Sequence, residues 1–150
     1  AVYDFLVSRG VQPGTIVPYG RSIGSGAASF LANQRHVAGL ILVQPLTSTL
    51  DMGRKAYPYL PIRLLLTERI DNTVELARYE APLLILHGDC DEVVPYSMGQ
   101  ELFRNAVSPD KRMVTLEGGD HNFIGTTHGA QIIDAVSEWL DHLSPSNRSE

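Results

Sequence analysis

Cysteine is nearly absent from this chain: Cys90 stands alone among 150 residues. One cysteine cannot close an internal disulfide or build a Cys-only metal site. Concentrated positive charge is missing too. The formal net charge is −5, and no basic stripe interleaved with aromatics is there to grip nucleic acid. No apolar run approaches the roughly 20 residues of a membrane span, and no signal-peptide pattern opens the chain. The histidines and acids show no H-E-x-x-H or similar ligand spacing. No lysine follows a glycine-rich turn as a phosphate-binding loop requires. The expectation is a soluble, cytoplasmic protein that does not bind nucleic acid.

At this length, with 43% hydrophobic residues, the chain can bury one core as a single domain. Val2, Phe5 and Leu6 share one helical face ending near Gly10, so Ala1 reads as lying inside a helix. Pro13-Gly14 marks a turn, and Thr15–Tyr19 reads as a strand. A helix is expected near Ile23–Asn33, a strand over Val37–Val43, and a short helix around Leu50–Tyr57 within a polar, proline-punctuated stretch. Another short helix follows near Asn72–Arg78. Leu83–Leu86, fenced by Pro82 and Gly88, is a continuous apolar run of the kind buried on both faces of a parallel sheet. Then come a helix near Tyr96–Val107, a strand over Lys111–Glu117 and a helix near Gln131–Leu143. The last carries Ile132, Val136, Trp139, Leu140 and Leu143 on one stripe. Strand and helix alternate four times, which calls for an α/β fold with parallel strands and right-handed crossovers.

Gly20-Arg21-Ser22-Ile23-Gly24 sits at the first strand-to-helix reversal. A serine between two glycines there has the form of a nucleophile elbow, whose tight turn demands small neighbours and lifts the hydroxyl clear of the sheet. The hydroxyl then lies at a helix N-terminus, where unpaired N–H groups favour negative charge. Gly24-x-Gly26-x-x-Ser29 approaches a dinucleotide fingerprint, but it lies inside the helix and lacks the later acidic residue.

A nucleophilic serine needs a base, and the base needs an orienting group. In a parallel sheet the loops after the strands converge on one edge. One such loop is His87-Gly88-Asp89-Cys90-Asp91-Glu92-Val93-Val94-Pro95; another is Gly118-Gly119-Asp120-His121-Asn122. Asp89 suits holding its own turn. Asp120 adjoins His121 and diverges from it, and Glu92 points away from Asp91 in an extended segment. His87 reads as a structural contact, and His36, His128 and His142 as surface or helix-end residues. Cys90 reads as packing, Asn122 as a cap on its loop, and Arg21 as an anchor beside the elbow.

The wording Tyr-Gly-Arg-Ser-Ile-Gly-Ser-Gly, His-Gly-x-x-Asp-x-x-Val-Pro and Gly-x-His-Asn resembles the α/β-hydrolase superfamily. The likeness is to its serine-hydrolase branch, which includes abhydrolase-domain depalmitoylases and uncharacterised bacterial hydrolases. The resemblance implies Ser22 as nucleophile, Asp91 as acid, His121 as base and the Ile23 N–H as an oxyanion-hole donor. It implies a serine hydrolase of carboxylic esters or thioesters, acting on a small-molecule or acylated substrate through an acyl-enzyme, without metal or organic cofactor. Residues 1–143 correspond to the C-terminal portion of the family's domain, with 144–150 a polar tail. The other half carries the loop that normally supplies the second oxyanion donor. A second function class follows from that gap: a non-catalytic binding module on the same scaffold. Within this portion the Thr15–Tyr19 strand is an edge, with Pro18 at its end. An edge-strand partner is expected, either the missing N-terminal half or a second copy.

Overall fold

The computed structural model describes residues 2–67 and 69–144. A short helix, α1 (Val2–Ser8), precedes a single 3-10 turn over Pro13–Thr15 and strand β1 (Tyr19–Arg21). There follow α2 (Gly24–Gln34), β2 (Leu40–Val43), α3 (Thr49–Ala56), α4 (Ile62–Leu65) and α5 (Asn72–Leu76). The chain continues through β3 (Leu83–Gly88), α6 (Tyr96–Asn105), β4 (Lys111–Leu116), α7 (Ile124–Thr127) and α8 (Gly129–Leu143). Of the expected polar tail, residues 145–150 lie outside the described residues.

The four strands form one parallel sheet in the order β1-β2-β3-β4. Side-chain alternation splits the buried strands between two cores. Leu40, Leu42, Leu83 and Ile85 face Ala28 and Ala32 of α2, Leu76 of α5 and Leu102 of α6. Ile41, Val43, Leu84 and Leu86 face Ile124 of α7 and Ala135 and Trp139 of α8. On α8 the buried stripe differs from the expected one. Ala135 and Trp139 are buried, Ile132, Val136 and Leu143 pack partly, and Leu140 stays open to solvent.

The first strand begins later than its β-branched residues suggest. Thr15 is drawn into the 3-10 turn by its N–H bond to the Gln12 carbonyl. Ile16 and Pro18 accept from the Ala38 and Ile41 N–H groups, so the segment runs beside β2. Pro18 has no N–H to return, however, and the regular ladder starts only at Tyr19. Opposite the same gap, β2 begins at Leu40 rather than Val37.

Register decides where the loops meet. Arg21 pairs with Val43, Val43 with Leu86, and Leu86 with Val114. The residues that follow all four strands therefore emerge at one edge. Among the described residues no helix is long and apolar enough to cross a membrane.

Candidate active site

Ser22 follows β1 directly and holds φ at 52°, a left-handed conformation that residues with a Cβ rarely adopt. The turn is closed on both sides: Ser22 donates its N–H to the Val43 carbonyl at 3.0 Å, and its own carbonyl accepts from Ser25 at 3.0 Å. Close packing makes Gly20 necessary. A Cβ there would stand 2.7 Å from Ala28 Cβ, the Gly24 carbonyl oxygen and Ser25 Cα. Gly24 differs, since a Cβ there meets nothing within 4 Å; the demand for small neighbours falls on one side of the serine only. Ile23 takes helical angles at the start of α2. Among the described residues its N–H has no backbone carbonyl partner, which leaves it available to an anion.

Asp91 lies in the loop after β3 with its side chain fully buried. Its Oδ1 accepts from the Val93 and Val94 N–H groups at 2.9 and 2.8 Å. Those two bonds fold the loop back on itself and aim Oδ2 at the loop after β4. The approach of the two loops depends on Gly88, where a Cβ would stand 2.1 Å from the Gly119 carbonyl oxygen. His121, in the second loop, bridges the other two residues. Its Nδ1 lies 2.7 Å from Asp91 Oδ2 and its Nε2 3.0 Å from Ser22 Oγ.

The other acids are committed elsewhere. Asp89 Oδ1 accepts from the Gly118 N–H at 2.6 Å, tying the two loops together. Asp120 Oδ1 accepts from the N–H groups of Asn122 and Phe123, so Asp120 caps this loop and not Asn122. Cys90 is exposed, contrary to the packing role expected of it. Its hydrogen bond to the Asp89 carboxylate, with that group's charge, pushes the thiol pKa up and weakens it as a nucleophile.

His87 is completely buried. Its Nε2–H donates to the Val94 carbonyl at 2.9 Å and lies 3.6 Å from Asp91 Oδ2. Among the described residues its Nδ1 has no partner, and it faces Gly99, whose added Cβ would stand 2.4 Å away. Burial holds its pKa below the ordinary value, against the opposing pull of the Val94 carbonyl and Asp91. A neutral His87 therefore adds a donor near the acid without adding charge.

Gln44 was not singled out from the sequence. It follows β2 directly, is fully buried and holds φ at 50°. Its Nε2 donates to the Asp120 carbonyl at 2.8 Å, and Arg21 donates to the His121 carbonyl. The signal available was its post-strand position at the edge from which the other site residues emerge.

Ile23, next to Ser22, and Phe123, two residues after His121, each expose 64% of their surface. A groove of about 480 Å³ between α1 and α2, lined by Tyr3, Ala27, Phe30 and Arg35 among others, contains none of the site residues.

A family model described as serine aminopeptidase, S33, matches residues 63–127. The chain is 35% identical over 130 residues to an uncharacterised protein of Mycobacterium tuberculosis, a match that covers 87% of this chain and 46% of that protein. It is 29% identical over 155 residues to alpha/beta hydrolase domain-containing protein 17C of Homo sapiens, covering 98% of this chain and 43% of that one. The chain thus spans just under half the length of these curated relatives. Among solved structures, a monoacylglycerol lipase from Paleococcus ferrophilus superposes with a TM-score of 0.67 at 19% identity, covering 95% of this chain and 73% of that one. At that identity the likeness is one of fold.

Proposed function

This chain belongs to the α/β-hydrolase superfamily, and from that premise we propose that it serves as a serine hydrolase of carboxylic esters or thioesters. One observation carries the reading: a single imidazole, His121, lies within hydrogen-bond distance of both a strained serine and a buried carboxylate. Asp91 accepts the Nδ1 proton, which leaves Nε2 bare toward Ser22. Nε2 takes the Ser22 proton as Oγ attacks the carbonyl carbon, and Asp91 stabilises the imidazolium that results. The oxyanion of the tetrahedral intermediate accepts from the Ile23 N–H. His121 then returns the proton to the leaving alcohol or thiol as the carbon–heteroatom bond breaks. Water, deprotonated by the same nitrogen, attacks the acyl-enzyme and releases the acid. The exposed apolar side chains of Ile23 and Phe123 suit an acyl chain. The lipase of like fold is, by its name, an ester hydrolase.

An organophosphonate tests this reading, because it labels a nucleophile activated for attack in preference to an ordinary hydroxyl. The label is expected on Ser22, and Ser22→Ala should abolish it. Labelled protein should also lose hydrolysis of short-chain p-nitrophenyl esters and acyl thioesters. A label on Cys90 or on another serine refutes the assignment. Absence of any label in folded protein favours the binding-module reading.

A further inference from the structure

We propose that Gln44 and Arg21 are positioning residues that clamp the backbone on both sides of His121; the inference deepens the hydrolase reading and rests on it. The direction of the imidazole is set first by the two backbone dihedrals of His121. Those dihedrals are rotations of the flanking peptide units about Cα. One unit carries the Asp120 carbonyl and the other carries the His121 carbonyl. Gln44 Nε2 donates to the first at 2.8 Å, and Arg21 Nη2 donates to the second. Holding both oxygens fixes both rotations, and with them the line from Cα to the ring.

The two holders are also joined to each other, since Arg21 Nε donates to Gln44 Oε1 at 3.4 Å. The residue type follows from this arrangement. A guanidinium only donates and a carbonyl only accepts. The side chain between them must therefore accept at one atom and donate at another, which an amide does and a carboxylate or thioether does not. The same positions tie the base to the nucleophile, because Arg21 immediately precedes Ser22 in the chain. A movement of the elbow and a movement of the base loop are thereby coupled.

Two further features set Gln44 apart from an ordinary buried amide. Its backbone is left-handed at φ 50°, a conformation that persists in a non-glycine residue only where the surroundings over-determine it. Its N–H donates to the Leu86 carbonyl within β3 at 2.8 Å. The side chain is thus launched from a fixed point of the sheet toward the base loop, where no regular secondary structure holds His121 itself.

The test compares Gln44→Met, Gln44→Glu, Arg21→Met and Arg21→Lys with the wild-type protein. Turnover of a p-nitrophenyl ester, thermal unfolding and the His121 ring-nitrogen NMR shifts, which report which nitrogen carries the proton, are read in parallel. In Gln44→Met, kcat should fall on the order of a hundredfold while KM stays near wild type, and the His121 tautomer should become mixed. Gln44→Glu should do the same, because it keeps the Arg21 contact but cannot donate to the Asp120 carbonyl. Arg21→Lys should retain more activity than Arg21→Met, since an ammonium still reaches the His121 carbonyl. Arg21 is exposed, so its variants carry the test if either Gln44 variant fails to fold. A folded Gln44→Met with wild-type kcat and a single Nδ1–H tautomer overturns the clamp, as does a loss confined to KM. Should the wild-type protein neither turn over ester nor take the phosphonate label, the hydrolase reading fails by itself, and the ring-nitrogen shifts still decide whether the clamp orders His121.

Discussion

Replacing Asp91 by asparagine separates the orienting role proposed for this carboxylate from its role in holding its own loop. Oδ1 accepts two backbone N–H bonds, from Val93 and Val94, and the amide oxygen of asparagine can keep both. Oδ2 accepts from His121 Nδ1, and there the substitution places an NH₂ group. To face that donor, the imidazole must present a bare Nδ1 and carry its proton on Nε2, the nitrogen that has to accept from Ser22. The expected loss in kcat is about 10⁴-fold, or roughly 5 kcal/mol in activation free energy. Asp91→Ala should behave differently. It also takes the acceptor from the Val93 and Val94 N–H groups, at about 1–3 kcal/mol for the buried Val94 N–H left unpaired. Ester turnover and urea unfolding, measured on both variants, make the distinction. Asparagine should lose activity with a small change in stability, and alanine should lose both. An asparagine variant within tenfold of wild-type kcat would refute the orienting role. Equal destabilisation of the two variants would refute the partition between Oδ1 and Oδ2.

Burial depresses the folded-state pKa of His87 below its ordinary value of 6.5. The unfolded chain therefore binds that proton first as pH falls, so the His87 contribution is whole above pH 6.5 and declines below it towards the folded-state pKa. His87→Gln should flatten this part of the stability curve in urea titrations at stepped pH, and an unchanged slope would count against a neutral buried His87. Gly20→Ala should destabilise by about 1–3 kcal/mol through overpacking against Ala28 and α2. Gly24→Ala, with open space around its Cβ, should gain up to about 1 kcal/mol in helix propensity; melting temperatures that shift equally would refute the contrast. Finally, β1 lies at an edge of the described sheet with Tyr19 54% exposed, and Leu140 of α8 is 40% exposed. Concentration-dependent association is expected in sedimentation, and a well-behaved monomer that unfolds cooperatively would contradict it.

Local rules made most of the fold readable before any coordinates. The run Leu83–Leu86, closed off by Pro82 and Gly88, can only be satisfied by burial on both faces, and it became β3, in which every residue is buried. The 3.6-residue spacing on α8 marked the helix, but which of its residues reach the core was settled by its packing against the sheet, so Ala135 went inward and Leu140 did not. β1 was misplaced because β-branched content signals an extended backbone but says nothing about ladder partners. Pro18 removes a donor only with respect to a particular neighbour, here β2.

The candidate site divides in the same way. Ser22, Asp91 and His121 were visible in the sequence because each sits in a loop whose glycines, prolines and acids mark a turn after a strand. Gln44 was invisible, because nothing in an isolated glutamine reveals a left-handed φ or a carbonyl 76 positions further along the chain. The sequence by itself determined which residues end strands, which turns need glycine, and which side chains could donate, accept or ionise, since these depend on bonded neighbours and residue chemistry alone. Only the tertiary structure decided which carboxylate faces His121, that Asp89 and Asp120 spend their oxygens on backbone N–H groups, and that His87 is buried neutral. Those outcomes depend on distances between segments set by strand register, and register is a property of the whole sheet.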